Sequence, residues 1–344
     1  MKRAFRSACR VAAALLAGLT TLLAGLTTAS ADELVLKFVT LDNPDAHHNV
    51  RVQHPWAERL TQQAHGLFRV QVFDGASIAN QLNVYNRVQD DVAQIGWGLP
   101  DLATGKFKLT QVVELPYLTN NSEEASVAFW RLYKTGLLDS DFDQVVPLKL
   151  IVFPQSGEQF REKPATLDNL NGLKVVVGSK ITSEVAAALG GSPLAFPINQ
   201  YYEVLQRGTA DVVQVGWTAF QPFKLAEVTK YHLDVPLGSA PGYVFMAKKK
   251  FDSLPPEVQK ILMANAGEKE SRDFGKFWDD VNKEWRESTG KLPGHTLLKL
   301  TPEQDKAWHK RVETVTDAWA KSQPGGEKLL ATYRQILADV RAGK

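Results

Sequence analysis

Cysteine is almost absent from this 344-residue chain. The single cysteine, Cys9, lies within the first 31 residues, which have the features of a removable export signal. The rest of the chain has no thiol, and this excludes disulfide bonds, thiolate catalysis and cysteine-based metal sites. There is also no HExxH motif and no spaced carboxylate cluster, so the sequence predicts neither a metal site nor a cofactor.

A long apolar run is also lacking. The longest, Val11–Leu26, has about 16 residues interrupted by Thr and Gly, whereas a membrane span needs about 20. It follows a short basic start and precedes the small-residue sequence Ala29-Ser30-Ala31, which is the order found in a cleaved signal peptide. We therefore expect residues 1–31 to be removed near Ala31, and the protein to be exported without being embedded in the membrane.

No excess of one charge is present. The whole chain has 40 basic and 38 acidic residues and a net charge of +2, and the signal contains four of the basic residues and none of the acidic ones. Its removal leaves 36 basic and 38 acidic residues, a net charge of −2. Because no basic stripe is present, we expect no nucleic-acid partner. The chain also lacks a GxSxG elbow, and its seven histidines form no recognisable catalytic arrangement, so we do not expect an enzyme.

The most regular stretch runs from Gly172 to Trp217 and reads as strand, helix, strand, helix, strand. We place a helix after a cap at Thr182 or Ser183, and a second helix after a cap at Asn199. Two strand–helix–strand units in series predict an α/β fold with a parallel sheet. Ligands bind such sheets beyond the carboxyl ends of the strands, where Trp217 falls.

A second copy of one strand occurs 120 positions earlier. Residues 91–97 read DVAQIGW and residues 211–217 read DVVQVGW. We interpret the pair as two lobes of similar topology, each presenting a tryptophan to one cleft. The length supports this interpretation, since a single core stops growing at about 250–300 residues.

Several short strings, in this order and spacing, resemble one family across essentially the whole chain after the signal. They are IGWGLP (95–100), ELPYL (114–118), LDNLNGLK (167–174), YEVLQRG (202–208), KYH (230–232) and FDSLP (251–255). The chain is identified by them as similar to the periplasmic solute-binding component of a tripartite ATP-independent periplasmic (TRAP) transporter, of the DctP type.

The resemblance implies a two-lobe periplasmic binding protein fold in which each lobe is a sheet flanked by helices, joined by crossing strands and long helices. We assign residues 32–154 and about 244–285 to lobe I, and residues 155–243 and about 286–344 to lobe II. The implied function is a receptor that closes over a small organic acid in the periplasm. Its implied partner is a membrane permease with a small and a large subunit.

The chain departs from the family at one position of direct consequence. Where the family usually has an arginine that pairs with the ligand carboxylate, this sequence has Val176. Arg161 is one candidate replacement, and its alternative is a solvated arginine in a charged turn. Backbone N–H groups at the helix start within 178–183 are a second candidate, and their alternative is an ordinary capped helix.

The other candidate ligand-binding residues are mostly aromatic or amide side chains. Trp97, Trp217 and Phe220 are expected to form an apolar wall, although large aromatics often belong to a core. Tyr202 and His48 are expected to offer hydrogen bonds to the ligand. Gln155 follows a buried strand at an expected crossing between the lobes.

Two alternative functions remain open at the level of sequence. Because the arginine is missing, the ligand could be neutral, aromatic or an amine. A sensor that presents its ligand to a membrane signalling protein would share this fold and these motifs.

Overall fold

The computed structural model describes residues 33–103 and 105–344, so the predicted signal peptide lies outside the described residues. The strands are β1 Leu34–Val39, β2 Phe68–Phe73, β3 Ile95–Gly98, β4 Val145–Val152, β5 Gly157–Phe160, β6 Lys174–Val177, β7 Ser192–Ala195, β8 Val212–Val215, β9 Tyr231–Leu233, β10 Pro241–Ala247 and β11 Thr296–Leu298.

Helices connect and cover these strands. They are α1 His54–Gln63, α2 Val84–Gln89, α3 Ser122–Lys134, α4 Asp139–Phe142, α5 Lys180–Ala188, α6 Tyr201–Gln206, α7 Leu225–Val228, α8 Lys248–Ser253, α9 Pro256–Ala264, α10 Glu268–Gly290, α11 Pro302–Ser322 and α12 Gly326–Arg341. A short π-helical turn lies at Asn49–Gln53, and short 3-10 turns lie at Pro100–Leu102, Thr110–Glu114, Ile198–Gln200 and Trp217–Ala219.

The strands form two sheets, which confirms the predicted α/β fold. The first has the order β2-β1-β3-β10-β4 and the second the order β11-β9-β5-β8-β6-β7. The two predicted strand–helix–strand units are confirmed, because β6 runs parallel to both β7 and β8. Both sheets are mixed, however, and also contain antiparallel strands. Strand β10 is antiparallel to β3 and β4, and β5 is antiparallel to β8 and β9.

The antiparallel strands have a topological cause. Strand β5 follows β4 of the other sheet after four residues, and β10 follows β9 after seven. Consecutive parallel strands need a long crossover connection, usually a helix, and connections of four and seven residues are too short to contain one. Helix α11 packs against α5 beside the second sheet, whereas α12 packs against α3 beside the first. The lobe boundaries given above stay a prediction.

Helix α10 lies unusually close to helix α3. A Cβ atom on Gly275 would come within 2.6 Å of the Ser122 carbonyl oxygen and 2.8 Å of Ser126 Oγ. Ser126 Oγ in turn accepts a hydrogen bond from the Val152 backbone N–H of β4, at 3.0 Å. The missing side chain at Gly275 therefore lets α10, α3 and β4 pack together.

We expect Gly275→Ala to lower the free energy of unfolding by roughly 1–3 kcal/mol, the usual penalty of overpacking. Alanine has the better helix propensity, so destabilisation would show that close packing outweighs propensity here. Thermal unfolding of this variant beside the exposed neighbour Lys276→Ala measures the effect. A Gly275→Ala melting temperature at or above that of the wild type would contradict the packing argument.

Glu158 is a buried acid in the middle of the second sheet. It lies on β5 between Gln214 of β8 and Leu233 of β9, and both of its carboxylate oxygens are buried without a hydrogen-bond partner. Burial therefore raises the pKa of Glu158 to about 8. An acid whose pKa is raised on folding binds its proton more tightly in the folded state. Its contribution to stability is complete below the unfolded pKa and is lost as pH rises through 8.

The Glu158→Gln variant should consequently gain stability at neutral pH. We expect it to unfold with a free energy higher by roughly 3 kcal/mol at pH 7, and to match the wild type near pH 4.5. Urea denaturation at pH 4.5, 6, 7 and 8 measures this difference, with the exposed Glu313→Gln as control. Equal pH dependence of wild type and Glu158→Gln would show that the acid is ionised without penalty.

Candidate functional site

Three connecting segments lie side by side between the two sheets. They are residues 114–119, residues 153–156, which lead from β4 to β5, and residues 236–240, which lead towards β10. Backbone hydrogen bonds join Phe153 N to Ala240 O at 2.8 Å and Ser156 N to Gly238 O at 2.7 Å. Tyr117 N also bonds to Pro236 O at 2.9 Å. Residues 153–156 and 236–240 connect the two sheets, as expected for crossing strands, and we call the three segments together the hinge.

Gln155 lies in this hinge and bridges its three segments. Its Nε2 donates to Thr119 Oγ1, and its Oε1 accepts from the Gly238 backbone N–H at 2.8 Å. The amide therefore holds residues of all three segments in register. In this arrangement Gln155 already has a structural partner on each side, so its predicted contact with a ligand stays a prediction.

A first aromatic group surrounds Trp97, and we call it the Trp97 cluster. Trp97 is the last residue but one of β3 and is 5% exposed. Its ring lies 5.3 Å from Phe274 and 6.2 Å from Phe153, between ring centroids. His48 lies 6.0 Å from Trp97 and 5.6 Å from Trp278. The structure therefore brings His48 and Trp97 together. His48 Nε2 also lies 3.1 Å from an Asp42 carboxylate oxygen.

A second aromatic group, the Trp217 cluster, consists of Trp217, Phe220 and His232. The Trp217 ring centroid lies 4.5 Å from Phe220 and 5.0 Å from His232, and all three side chains are buried. Trp217 Nε1 donates to Asp234 Oδ1 at 2.6 Å, while Asp234 Oδ2 accepts from Arg286 Nε at 2.5 Å. The Trp217 indole is therefore held by its ring contacts and by the hydrogen bond from its Nε1.

Helix α10 connects the two clusters. Its first half supplies Phe274 and Trp278 to the Trp97 cluster, and its second half supplies Arg286 to Asp234. Trp285, next to Arg286, lies 5.4 Å from His47 between ring centroids, and it lines a cavity of about 290 Å³ together with Phe220. Ligand pockets usually begin at about this size. Phe274, Trp278 and Trp285 of this helix are all buried.

Val176 belongs to the same buried group as Trp217. Val176, Val213, Trp217 and Phe220 share one continuous apolar core, and Val176 is completely buried. An arginine at this position would need an anion beside it, since an unpaired buried charge is costly. The described neighbourhood of Val176 is apolar instead.

Two of the predicted residues lie apart from these clusters. Arg161 follows the end of β5 that pairs with the start of β8, where its N–H bonds to Asp211 O and its guanidinium lies beside Gly208. Trp217 follows the opposite end of β8. The Tyr202 hydroxyl donates to Glu227 Oε2 at 2.9 Å, towards α7.

The neighbouring tyrosine, Tyr201, faces the second sheet. Tyr201 is buried, and its hydroxyl lies 2.8 Å from where a Gly178 Cβ would be, at the carboxyl end of β6. The first residue of α6, and not the second, therefore faces the sheet. A helical period cannot be phased reliably from a helix of six residues, so no pattern in the sequence separates Tyr201 from Tyr202.

The start of helix α5 also differs from the prediction. Ser179 is its N-cap, and Thr182 is the third residue of the helix. Ser179 Oγ accepts from the Thr182 N–H, and the Thr182 hydroxyl accepts from the Ser179 N–H, which forms a capping box. The cap at Thr182 or Ser183 is wrong because this reciprocal pair begins the helix earlier. Asn199 likewise lies in a short turn before α6 and does not cap it.

Sequence reasoning missed a buried pair of acids beside the hinge. Asp101 and Glu114 contact one another, and Glu114 also contacts the Ser179 hydroxyl. Burial raises the pKa of Asp101 to about 6, and burial together with Asp101 raises the pKa of Glu114 well above its ordinary value. Two buried carboxyl groups in contact disfavour simultaneous ionisation, so this pair favours a shared proton. The sequence contains no motif that would have joined these two residues.

Metal and membrane features can be stated only for the described residues. Over 33–103 and 105–344, no group of three acidic, histidine or cysteine side chains is placed to hold a metal ion. Across the same ranges, no helix is both long and apolar enough to cross a membrane.

Residues 43–323 match the family described as bacterial extracellular solute-binding protein, family 7, named DctP. The chain is 27% identical over 299 residues to the outer membrane transporter protein TsaT of Comamonas testosteroni, covering 83% of this chain and 86% of TsaT.

Solved structures of TRAP solute-binding proteins share the fold. One, from Rhodoferax ferrireducens T118 with copurified benzoate, has a TM-score of 0.82 and 23% identity, covering 90% of this chain and all of that one. Another, from Bordetella bronchiseptica with bound (R)- and (S)-mandelate, has a TM-score of 0.80 and 23% identity, covering 89% and 99%. The family match spans most of the chain and the fold agrees with it, so this chain belongs to the DctP family of TRAP periplasmic solute-binding proteins.

Proposed function

We propose that this protein binds a small aromatic carboxylic acid between its two sheets and delivers it to a TRAP permease with a small and a large membrane subunit. The observation that carries the proposal is the apolar, aromatic surrounding of Val176, at the position where the family usually has an arginine. An aromatic ligand gains binding free energy from stacking and from burial of its ring faces, so its affinity depends less on one charged partner. Trp217 and Phe220 would supply one side of such a site.

The Trp97 cluster would supply the other side. Helix α10 connects both clusters, so closure of the lobes would bring the two aromatic groups onto one ligand. A ligand favours closure only by the free energy of its extra contacts in the closed state. Stacking against rings from both sheets would provide that difference. Relatives of the same fold with bound benzoate and mandelate support this class of ligand.

The ligand carboxylate would need hydrogen-bond donors in place of the arginine. The proton held by Asp101 and Glu114 is one source, since a buried neutral carboxyl group can donate to a carboxylate. His48 in the Trp97 cluster is a second. An amine ligand would instead use these acids as anions, so the aromatic acid and the aromatic amine make opposite demands on the same pair.

A thermal-shift screen tests the proposal directly. We expect benzoate, 3-hydroxybenzoate or mandelate to raise the melting temperature of the chain from Asp32 by a few degrees, since ligand at 100 times its dissociation constant adds about 2.7 kcal/mol. Benzamide and benzylamine, which carry no carboxylate, should have no effect. Stabilisation by benzylamine or by galacturonate alone would contradict the proposed class.

The Trp217→Phe variant tests the proposed wall. It keeps an aromatic ring in the core but loses the hydrogen bond to Asp234, so we expect affinity for the acid to fall tenfold or more, about 1.4 kcal/mol. The matched control is Trp319→Phe on α11, and isothermal titration calorimetry measures both. Unchanged affinity in a folded Trp217→Phe protein would remove Trp217 from the site.

A further inference from the structure

A chain of hydrogen bonds runs beneath Trp217 through two histidines. Lys230 Nζ lies 3.1 Å from His295 Nε2, and His295 Nδ1 lies 2.9 Å from His232 Nε2. His232 Nδ1 lies 2.9 Å from Gln159 Oε1, and Gln159 Nε2 donates to Val215 O at 3.1 Å. The two imidazole rings are nearly parallel, with centroids 5.2 Å apart.

The lysine end of the chain fixes its direction. An ammonium group has donors only, so His295 Nε2 must accept from Lys230. A neutral imidazole has one donor and one acceptor, and His295 Nδ1 therefore carries the proton and donates to His232. By the same rule, His232 Nε2 accepts and His232 Nδ1 donates.

The glutamine end fixes the same direction independently. The Val215 carbonyl oxygen can only accept, so the NH₂ group of Gln159 must face it. The amide oxygen of Gln159 then faces His232 and requires a donor at Nδ1. The two ends of the chain agree, and both histidines are neutral with the proton on Nδ1.

Charged groups around the pair disfavour a second proton. Burial, His295 and Lys230 together lower the pKa of His232 to about 3, and burial and Lys230 lower the pKa of His295. Glu158 lies beside Gln159 on β5, but alternation along the strand directs its side chain to the other face. Asp234 is engaged by Trp217 and Arg286. Protonation of either ring would place two donors against each other or against Lys230.

We propose that Lys230 is a positioning residue that orders this chain, and thereby sets the geometry of the aromatic wall formed by Trp217 and Phe220. His232 contacts both rings, at centroid distances of 5.0 and 5.4 Å. A ring whose tautomer is fixed at both ends cannot rotate without breaking two buried hydrogen bonds. The proposal rests on the proposed function only in giving this wall a ligand to hold.

Nuclear magnetic resonance of the ligand-free protein decides the point. With ¹⁵N-labelled histidine, we expect His232 and His295 at pH 7.5 to be neutral and protonated on Nδ1. Replacement of each by Asn in turn assigns the signals. In Lys230→Met, His295 should populate both tautomers, its pKa should rise, and the Trp217 indole N–H signal should move.

Two further variants separate positioning from general destabilisation. Lys230→Arg keeps a charged donor and should restore the wild-type tautomers, whereas Lys299→Met removes an exposed lysine after β11 and should change nothing. An Nε2–H tautomer in the wild type, or unchanged tautomers and an unchanged indole signal in Lys230→Met, would overturn the inference. Failure of the aromatic acids to bind would contradict the proposed function and leave these signals as they are.

Discussion

The positions of the two aromatic clusters depend on one helix, α10, which packs against both sheets. Helix α10 can approach α3 and β4 because Gly275 has no side chain, and that approach places Phe274 and Trp278 around Trp97. A helix rises about 1.5 Å per residue, so the same helix extends about 10 Å from Trp278 to Trp285 and Arg286. There it reaches the Trp217 cluster through Asp234. A shift of α10 therefore changes both aromatic clusters together.

The general architecture could be predicted because it depends on local patterns. Buried strands such as Lys174–Val177 consist largely of apolar β-branched residues, and the helices between the strands have a clear apolar period. The direction of β5 and β10 could not be predicted, because it depends on which sheet each strand joins. That choice is made by contacts between residues far apart in sequence, such as Phe153 with Ala240.

The candidate site likewise contains some residues that the sequence identifies and others that it does not. The sequence identifies four candidates, Trp97, Trp217, Phe220 and His48, because aromatic residues and histidines near strand ends or in loops are visible in it. The structure places these four residues in two clusters. Arg161 is a candidate for its charge and for its place just after residues 155–157, but the register of β5 puts it at the far end of the sheet. Asp234 and Arg286 carried no signal, since their pairing joins a loop to a distant helix.

The second sheet contains two buried titratable groups with opposite effects of pH. Glu158 stabilises the fold most at low pH, and that contribution is lost as pH rises from about 4.5 to 8. His232 is neutral when folded, so its contribution is present above its unfolded pKa of about 6.5 and is lost as pH falls towards 3. Between about 4.5 and 6.5 one slope offsets the other. Adjacent positions on β5, Glu158 and Gln159, thus hold one member of each system on opposite faces of the sheet. The pH dependence that these two groups together give to unfolding is therefore smaller over that range than either group alone would give.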